Sequence, residues 1–256
     1  MKQLVLQISD LAITFGELCV VNHISFSLKR GRTVAIVGES GSGKSLTALA
    51  IIGLLPTTAH VTGEIFFEEL QLLTATTKQV RSVRGNKIAM IFQEPMTSLN
   101  PVFTIGEQIE EAVLLHRNVS RKVAKSKSLD AMEEVGLERN RFHAYPHEFS
   151  GGMQQRVMIA MALVCEPTIL IADEPTTALD TTTSRQIMKI LFDCKERRGM
   201  SMLFISHDLH LVTSIADTVC VMRGGDIVEC GAAEDVLKCP SHQYTKELLA
   251  CVPSIH

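Results

Sequence analysis

Apolar residues in this chain gather into short runs of two kinds. Residues 4–8 (Leu-Val-Leu-Gln-Ile), 11–15 (Leu-Ala-Ile-Thr-Phe) and 24–28 (Ile-Ser-Phe-Ser-Leu) read as short strands, the last alternating apolar with polar. They predict an antiparallel sheet near the N-terminus. Residues 61–67 read as one more strand. Residues 33–37, 88–92, 168–172 and 201–205 are apolar almost throughout, the pattern of strands buried on both faces in a parallel sheet. Helical periodicity holds over 105–115 and over 123–135, the latter closed by Gly136, and a mainly apolar helix is expected over 154–163. Between residues 95 and 149 helix replaces strand, so this part reads as a helical insertion into an α/β chain.

One junction carries specific chemistry. The run Thr33-Val34-Ala35-Ile36-Val37 leads into Gly38-Glu39-Ser40-Gly41-Ser42-Gly43-Lys44-Ser45, and then into the apolar helix Leu46-Thr47-Ala48-Leu49-Ala50-Ile51-Ile52. This is a strand, a phosphate-binding loop and a helix. The glycines let backbone N–H groups turn inward around phosphate oxygens, and the helix N-terminus adds partial positive charge. Lys44 reaches the β- and γ-phosphates, and Ser45 offers a hydroxyl to Mg²⁺. A nucleoside triphosphate is the expected ligand.

Other polar residues stand at the ends of the buried runs, where ligands of parallel sheets bind. Gln93 ends residues 88–92, and Asp173-Glu174 ends 168–172. The two acids suit different work: Asp173 as a holder of Mg²⁺ and Glu174 as an acceptor for a proton from attacking water. Ser206-His207-Asp208 follows residues 201–205, which makes His207 a candidate γ-phosphate contact. Ser150-Gly151-Gly152 opens the helix that follows it, a second cradle for phosphate. Phe15, ahead of Gly16, is either a core ring or a stacking platform for adenine.

Composition narrows the class. The 256 residues are 46% hydrophobic, ample for a packed α/β core, and 25 basic against 28 acidic residues give no overall pull toward nucleic acid. The basic run 121–127 has no interleaved aromatics and reads as a solvated helix face. His116, His143 and His147 lack metal-motif spacing and read as surface or turn residues. Seven scattered cysteines without a C-x-x-C pair indicate neither a disulfide framework, a zinc site nor an iron–sulfur cluster, and read as reduced thiols of a cytosolic protein. No apolar run is long enough to span a bilayer, so membrane association is expected through a partner.

The ordered set Gly38 to Ser45, Gln93, Ser150-Gly151-Gly152, Asp173-Glu174, Ala178-Leu179-Asp180 and His207 resembles the ATP-binding cassette ATPases of ABC transporters, over essentially the whole chain. Residues 93–101, 171–180 and 242–249 resemble the oligopeptide, dipeptide and nickel importer branch. The chain departs from the wider family at Phe149 and Met153, where Leu and Gln are usual, which removes a side-chain amide contact. It ends at His256, before the cysteine-bearing tail of several peptide importers, like the short nickel-type subunits or a separated half of a fused protein.

The resemblance implies an α/β P-loop NTPase fold of ABC type, with an N-terminal antiparallel β subdomain, a mostly parallel core sheet and a helical insertion. It divides one cassette into residues 1–94, 95–149, 150–235 and a tail, 236–256. ATP and Mg²⁺ are the implied cofactors. Nucleotide contacts fall to Phe15, Gly38, Glu39, Ser40, Gly41, Ser42, Gly43, Lys44, Ser45, Thr47 and Asp180, and from a facing cassette to Ser150, Gly151 and Gly152. Mg²⁺ falls to Ser45, Gln93 and Asp173, and catalysis to Glu174, His207, Gln93 and Lys44. Implied partners are a sister ATPase in a head-to-tail dimer, two transmembrane permease subunits and, indirectly, an extracytoplasmic solute-binding protein. No nucleic acid is implied, and the implied location is the cytoplasmic face of the inner membrane. A soluble ABC ATPase acting on DNA or ribosomes is the alternative, but the sequence shows no second cassette, coiled-coil insertion or basic face.

Overall fold

Strand β1 (Leu4–Phe15) and strand β2 (Leu18–Lys29) form an antiparallel hairpin across Gly16 and Glu17, and β4 (Ala59–Phe67) with β5 (Leu70–Gln71) extends it in the order β2-β1-β4-β5. In this computed structural model, residues 3–93, 98–177 and 179–250 are described. They fall into two compact units, Met1–Val80 with Ser201–His256, and Arg81–Met200. The sequence predicts separate strands over 4–8 and 11–15, yet β1 is continuous. Asp10, at φ 54°, takes up a register shift against both neighbours, and its N–H donates to Ser25 Oγ at 2.9 Å. Gly63 makes the room: a Cβ there would stand 2.3 Å from the Asp10 carbonyl oxygen. A bulge bends a strand without ending it.

The first unit also holds β3 (Thr33–Val37), β8 (Ser201–Ser206), β9 (Thr218–Arg223) and β10 (Asp226–Ala232), in the order β10-β9-β3-β8. β3 is parallel to β8 and to β9, and β10 returns antiparallel to β9. All residues of β3 and β8 are buried, as their apolar runs predict. Helix α1 (Lys44–Ile51) follows the loop after β3 and begins at Lys44, two residues before its apolar run. Three further helices belong to this unit: α6 (Leu209–Ile215), α7 (Ala233–Lys238) and α8 (Gln243–Ala250).

The second unit is built on the parallel pair β6 (Ile88–Ile91) and β7 (Ile169–Asp173), with Ile88 opposite Ile169 and Ile91 opposite Ala172. Its helices are α2 (Ile105–His116), α3 (Arg121–Glu134), α4 (Gly151–Leu163) and α5 (Thr181–Arg198). Each is started by the side chain before it. Thr104 and Glu107 form a reciprocal capping box on α2, and Ser120 caps α3, which therefore begins two residues earlier than periodicity predicts. Helix α3 buries Ala124, Ser128, Ala131 and Met132 and exposes Arg121, Lys122 and Lys125. Among the described residues no helix is long and apolar enough to cross a membrane.

Glu229 anchors the chain beyond β10. Its carboxylate accepts from the Ser241 N–H and Oγ, both at 2.8 Å, and from the His242 N–H at 3.1 Å, which fixes the approach to α8. Burial alone would raise this carboxyl, but the Thr245 hydroxyl and the donors of Ser241 and His242 outweigh it and lower its pKa from 4.5 to about 2. A carboxyl lowered in the folded state stabilises it above the ordinary value and loses that contribution as pH falls through the folded value. Between pH 4.5 and about 2, α8 should therefore loosen ahead of the sheets. Lower protection of the amides of residues 243–250 at pH 3 than at pH 6, after division by the intrinsic exchange rate at each pH, with that difference absent in Glu229→Gln, is the expected result; equal protection in wild type would refute it.

Candidate functional site

The loop after β3 is shaped by what presses on it. A Cβ on Gly38 would stand 2.0 Å from the Met222 carbonyl oxygen, and one on Gly43 would stand 2.7 Å from the Val20 carbonyl oxygen. Gly38, Gly41 and Gly43 also have φ of 155°, 80° and 104°, a backbone that L side chains rarely adopt. Lys44 is 5% exposed, and its Nζ donates to the Gly38 and Glu39 carbonyls at 2.9 and 2.7 Å. The ammonium is thus held within the curl of the loop. Thr47 is fully buried, with its hydroxyl donating to the Gly43 carbonyl at 3.0 Å, so it braces the loop from within the helix. Ser42 Oγ is buried without a protein hydrogen-bond partner.

Two contacts absent from the sequence reading reach this loop. The Glu39 N–H donates to the Tyr244 hydroxyl at 3.1 Å, and the Arg223 guanidinium lies 4.6 Å from the centre of the Tyr244 ring. The Gly225 N–H donates to the Ser42 carbonyl at 3.2 Å. Tyr244 lies in the tail segment that carries the importer-branch resemblance, which was its only signal. β8 pairs Ser206 with Val37, so exposed His207 leaves the same edge as Gly38. Phe15 is half-buried at the end of β1, opposite Leu18 and Ala59.

In the second unit, β6 and β7 bring Gln93 and Glu174 together. Gln93 Nε2 donates to Glu174 Oε2 at 3.2 Å, and the Thr177 hydroxyl donates to the same oxygen at 2.9 Å. Glu174 lies beyond the end of β7, at φ 46°. A left-handed backbone at a non-glycine residue is uncommon and tends to mark functional turns. The turn is locked by Gln155, buried in α4, whose Nε2 donates to the Pro175 carbonyl at 2.8 Å. Sequence reasoning missed both Thr177 and Gln155. Asp173 is 4% exposed at the last position of β7.

Ser150 caps α4 by accepting from the Met153 N–H at 3.4 Å, which places Gly151 and Gly152 in the first turn of that helix. A Cβ on Gly152 would lie 2.4 Å from Thr183 Cγ2, so this glycine also permits close packing against α5. Asp180 caps α5, accepting from the N–H groups of Thr182 and Thr183 at 2.9 and 3.0 Å and from Thr183 Oγ1 at 2.6 Å. These bonds, the Thr183 hydroxyl foremost, hold its carboxyl below the ordinary carboxylate value. Ala178 and residues 94–97, parts of two motifs singled out in the sequence, lie outside the described residues, as does Cys251.

The donors of each unit suit a different part of a metal–triphosphate. The first unit holds a buried ammonium in a glycine loop at a helix N-terminus and a hydroxyl at Ser45, a cradle suited to phosphate, and the second holds a buried Asp173 beside a fixed carboxylate, hard oxygen ligands of the kind Mg²⁺ takes. No cluster of three or more His, Cys, Asp or Glu side chains that could hold a metal occurs among the described residues.

The glycine loop between β3 and α1 defines a P-loop nucleotide-binding protein. The family description "ABC transporter" matches residues 21–177, and the chain belongs to the ABC transporter family. It is 51% identical to a peptidoglycan transport ATP-binding protein, YejF, of Agrobacterium fabrum, over 98% of this chain and 47% of that protein. It is 46% identical to the oligopeptide transport ATP-binding protein OppD of Bacillus subtilis, over 98% of this chain and 72% of that one. To the glutathione import ATP-binding protein GsiA of Escherichia coli it is 47% identical, over 98% of this chain and 42% of that protein. The chain thus spans about half the length of some of these relatives. Among solved structures, the cassette MJ0796, dimeric in a post-hydrolysis state with ADP and Pi, aligns with a TM-score of 0.79 at 27% identity, over 89% of this chain and 98% of that one.

Proposed function

We propose that this chain is the energy-coupling ATPase of an importer whose solute is of the peptide class. Peptides are favoured over nickel because similar proteins carry oligopeptide, peptidoglycan and glutathione transport in their names. The single observation that carries the hydrolytic role is the Glu174 carboxylate, fixed by Gln93 and Thr177 beyond the end of β7. One carboxylate oxygen accepts two hydrogen bonds, which sets the group's direction, and such a group can take a proton from a bound water.

In this reading the loop N–H groups of Gly38, Glu39, Ser40, Gly41, Ser42 and Gly43, with Lys44, hold the phosphates, and Phe15 stacks on the adenine. Thr47 acts behind the loop, because its buried hydroxyl already serves Gly43. Ser45, Asp173 and Gln93 would hold Mg²⁺, which supplies charge to neutralise the triphosphate oxygens. His207 contacts the γ-phosphate. Two cassettes pair head to tail, so that Ser150, Gly151 and Gly152 of one cover the ATP of the other, with Asp180 setting the start of α5 beside them. The partner cassette is a sister ATPase, and the pair sits peripherally on two permease subunits at the cytoplasmic face of the membrane, served from outside by a solute-binding protein. The four segments bounded at residues 94, 149 and 235 form one cassette domain.

The deciding experiment is affinity purification of the tagged full chain from detergent-solubilised membranes of its own cells, with the co-purifying proteins identified by mass spectrometry. Two polytopic membrane proteins and a second cassette are expected in stoichiometric amounts. Recovery with ribosomes or DNA, and no membrane protein, would overturn the importer reading in favour of a soluble ABC ATPase.

A further inference from the structure

The β9–β10 hairpin carries more than its ladder. It meets the phosphate loop at Met222 and Gly225, and it anchors the tail through Glu229. Outward from its Gly224-Gly225 turn, Arg223 pairs with Asp226 and Met222 with Ile227. The register then shifts by one residue, so that Val221 faces Glu229 and Cys220 faces Cys230. Unshifted, Cys220 would face Glu229. With the shift, two thiols oppose each other across antiparallel strands, their Sγ atoms 2.6 Å apart. Directly opposed residues hold their Cα atoms about 4.5–5.5 Å apart, within the span that a disulfide bridges. Cys220 is fully buried and Cys230 is exposed.

We propose that Cys220 and Cys230 form a reversible redox site, a dithiol that a low-molecular-weight disulfide converts into a cross-strand disulfide within the hairpin that supports the phosphate loop. The roles divide by environment. Cys230 is exposed and can meet a soluble disulfide, whereas Cys220 is buried, and its hydrogen bond with Cys230 and then burial raise its pKa. Cys230 is therefore the attacking thiolate and Cys220 the resolving thiol.

With glutathione disulfide as the oxidant, the Cys230 thiolate attacks one of its sulfurs. The S–S bond breaks, and the first glutathione departs as a thiolate that takes up the proton lost by Cys230. Cys220 then loses its proton and attacks the Cys230 sulfur of the mixed disulfide, expelling the second glutathione, which is protonated in turn. Two protein thiols are oxidised by two electrons, and glutathione disulfide is reduced to two thiols. The product ties β9 to β10 two residues from Met222, the residue against Gly38, and one residue from Glu229, the anchor of α8.

The test uses the reduced full chain with glutathione disulfide, followed by alkylation of remaining thiols, non-reducing trypsin digestion and mass spectrometry. Arg223 lies between the two cysteines, so after cleavage only a disulfide can hold the two peptides together. Joined peptides that separate in dithiothreitol are expected, with Cys19 and Cys239, also exposed, as internal controls. Cys220→Ser should stop at a stable mixed disulfide on Cys230. Wild-type protein that keeps glutathione on Cys230 without closing, or that alkylates at Cys220 and Cys230 as fully as at Cys19 and Cys239, would overturn the proposal. The wild-type digest alone decides if the variant does not fold.

Discussion

Glu174→Gln should bind Mg²⁺–ATP with near-wild-type affinity, hydrolyse it on the order of 10²–10⁴-fold more slowly, and accumulate a closed ATP-bound dimer. The glutamine keeps the shape of the side chain, and its carbonyl oxygen can still accept from Gln93 Nε2 and the Thr177 hydroxyl, the two donors that orient the native carboxylate. It cannot take a proton from water. It also removes a negative charge next to Asp173, so that triphosphate binding and cassette closure are favoured while the chemistry that reopens them is stopped. The trapped species should be a heterodimer with the sister ATPase, and the isolated chain should dimerise poorly. Size-exclusion chromatography with ATP, with and without that partner, reads the assembly, and phosphate release reads the chemistry. Turnover at the wild-type rate, in a complex whose partner site is silenced, would show that Glu174 is not the base.

Lys44→Ala should fail earlier, at binding. The ammonium is buried within the loop and bonded to the Gly38 and Glu39 carbonyls, so its charge is placed where phosphate oxygens would gather. Hydrogen bonds to charged groups contribute about 1.5–3 kcal/mol each, so losing one should weaken ATP binding roughly 10- to 150-fold. Closure and hydrolysis should fall with it, opposite to the trapping expected of Glu174→Gln. Titration with a fluorescent ATP analogue, beside a thermal melt to confirm folding, separates lost affinity from lost structure. A well-folded variant with unchanged affinity would remove Lys44 from the phosphate site.

The two variants address residues of different legibility. Lys44 could be placed from the sequence because everything that positions it is local: an apolar strand, glycines that permit the loop, and the helix that follows. The capping side chains at Thr104, Ser120, Ser150 and Asp180 act as locally, each bonded to N–H groups two or three residues on, although only Ser150 and Asp180 were singled out in the sequence. The apolar runs of β3, β6, β7 and β8 likewise announced buried strands, and so the strand ends at which Gln93, Asp173 and His207 stand. Asp180 was legible as a polar residue in a motif, but only the structure shows its oxygens engaged with Thr182 and Thr183.

What the sequence left open were pairings between distant positions. No local pattern says that Thr177 and Gln93 converge on one oxygen of Glu174, or that Gln155 fastens the following turn from a helix that is apolar around it. Tyr244 reaches Glu39 across 205 positions of chain, from a helix whose approach Glu229 anchors. Register was equally hidden. Asp10 keeps β1 continuous because Gly63 on another strand leaves it space, and one shifted residue in β10 turns two scattered cysteines into opposed thiols. Backbone propensity and capping act over a few residues and are written in the sequence; strand register and side-chain convergence depend on which distant surfaces pack, and the tertiary structure alone decided them.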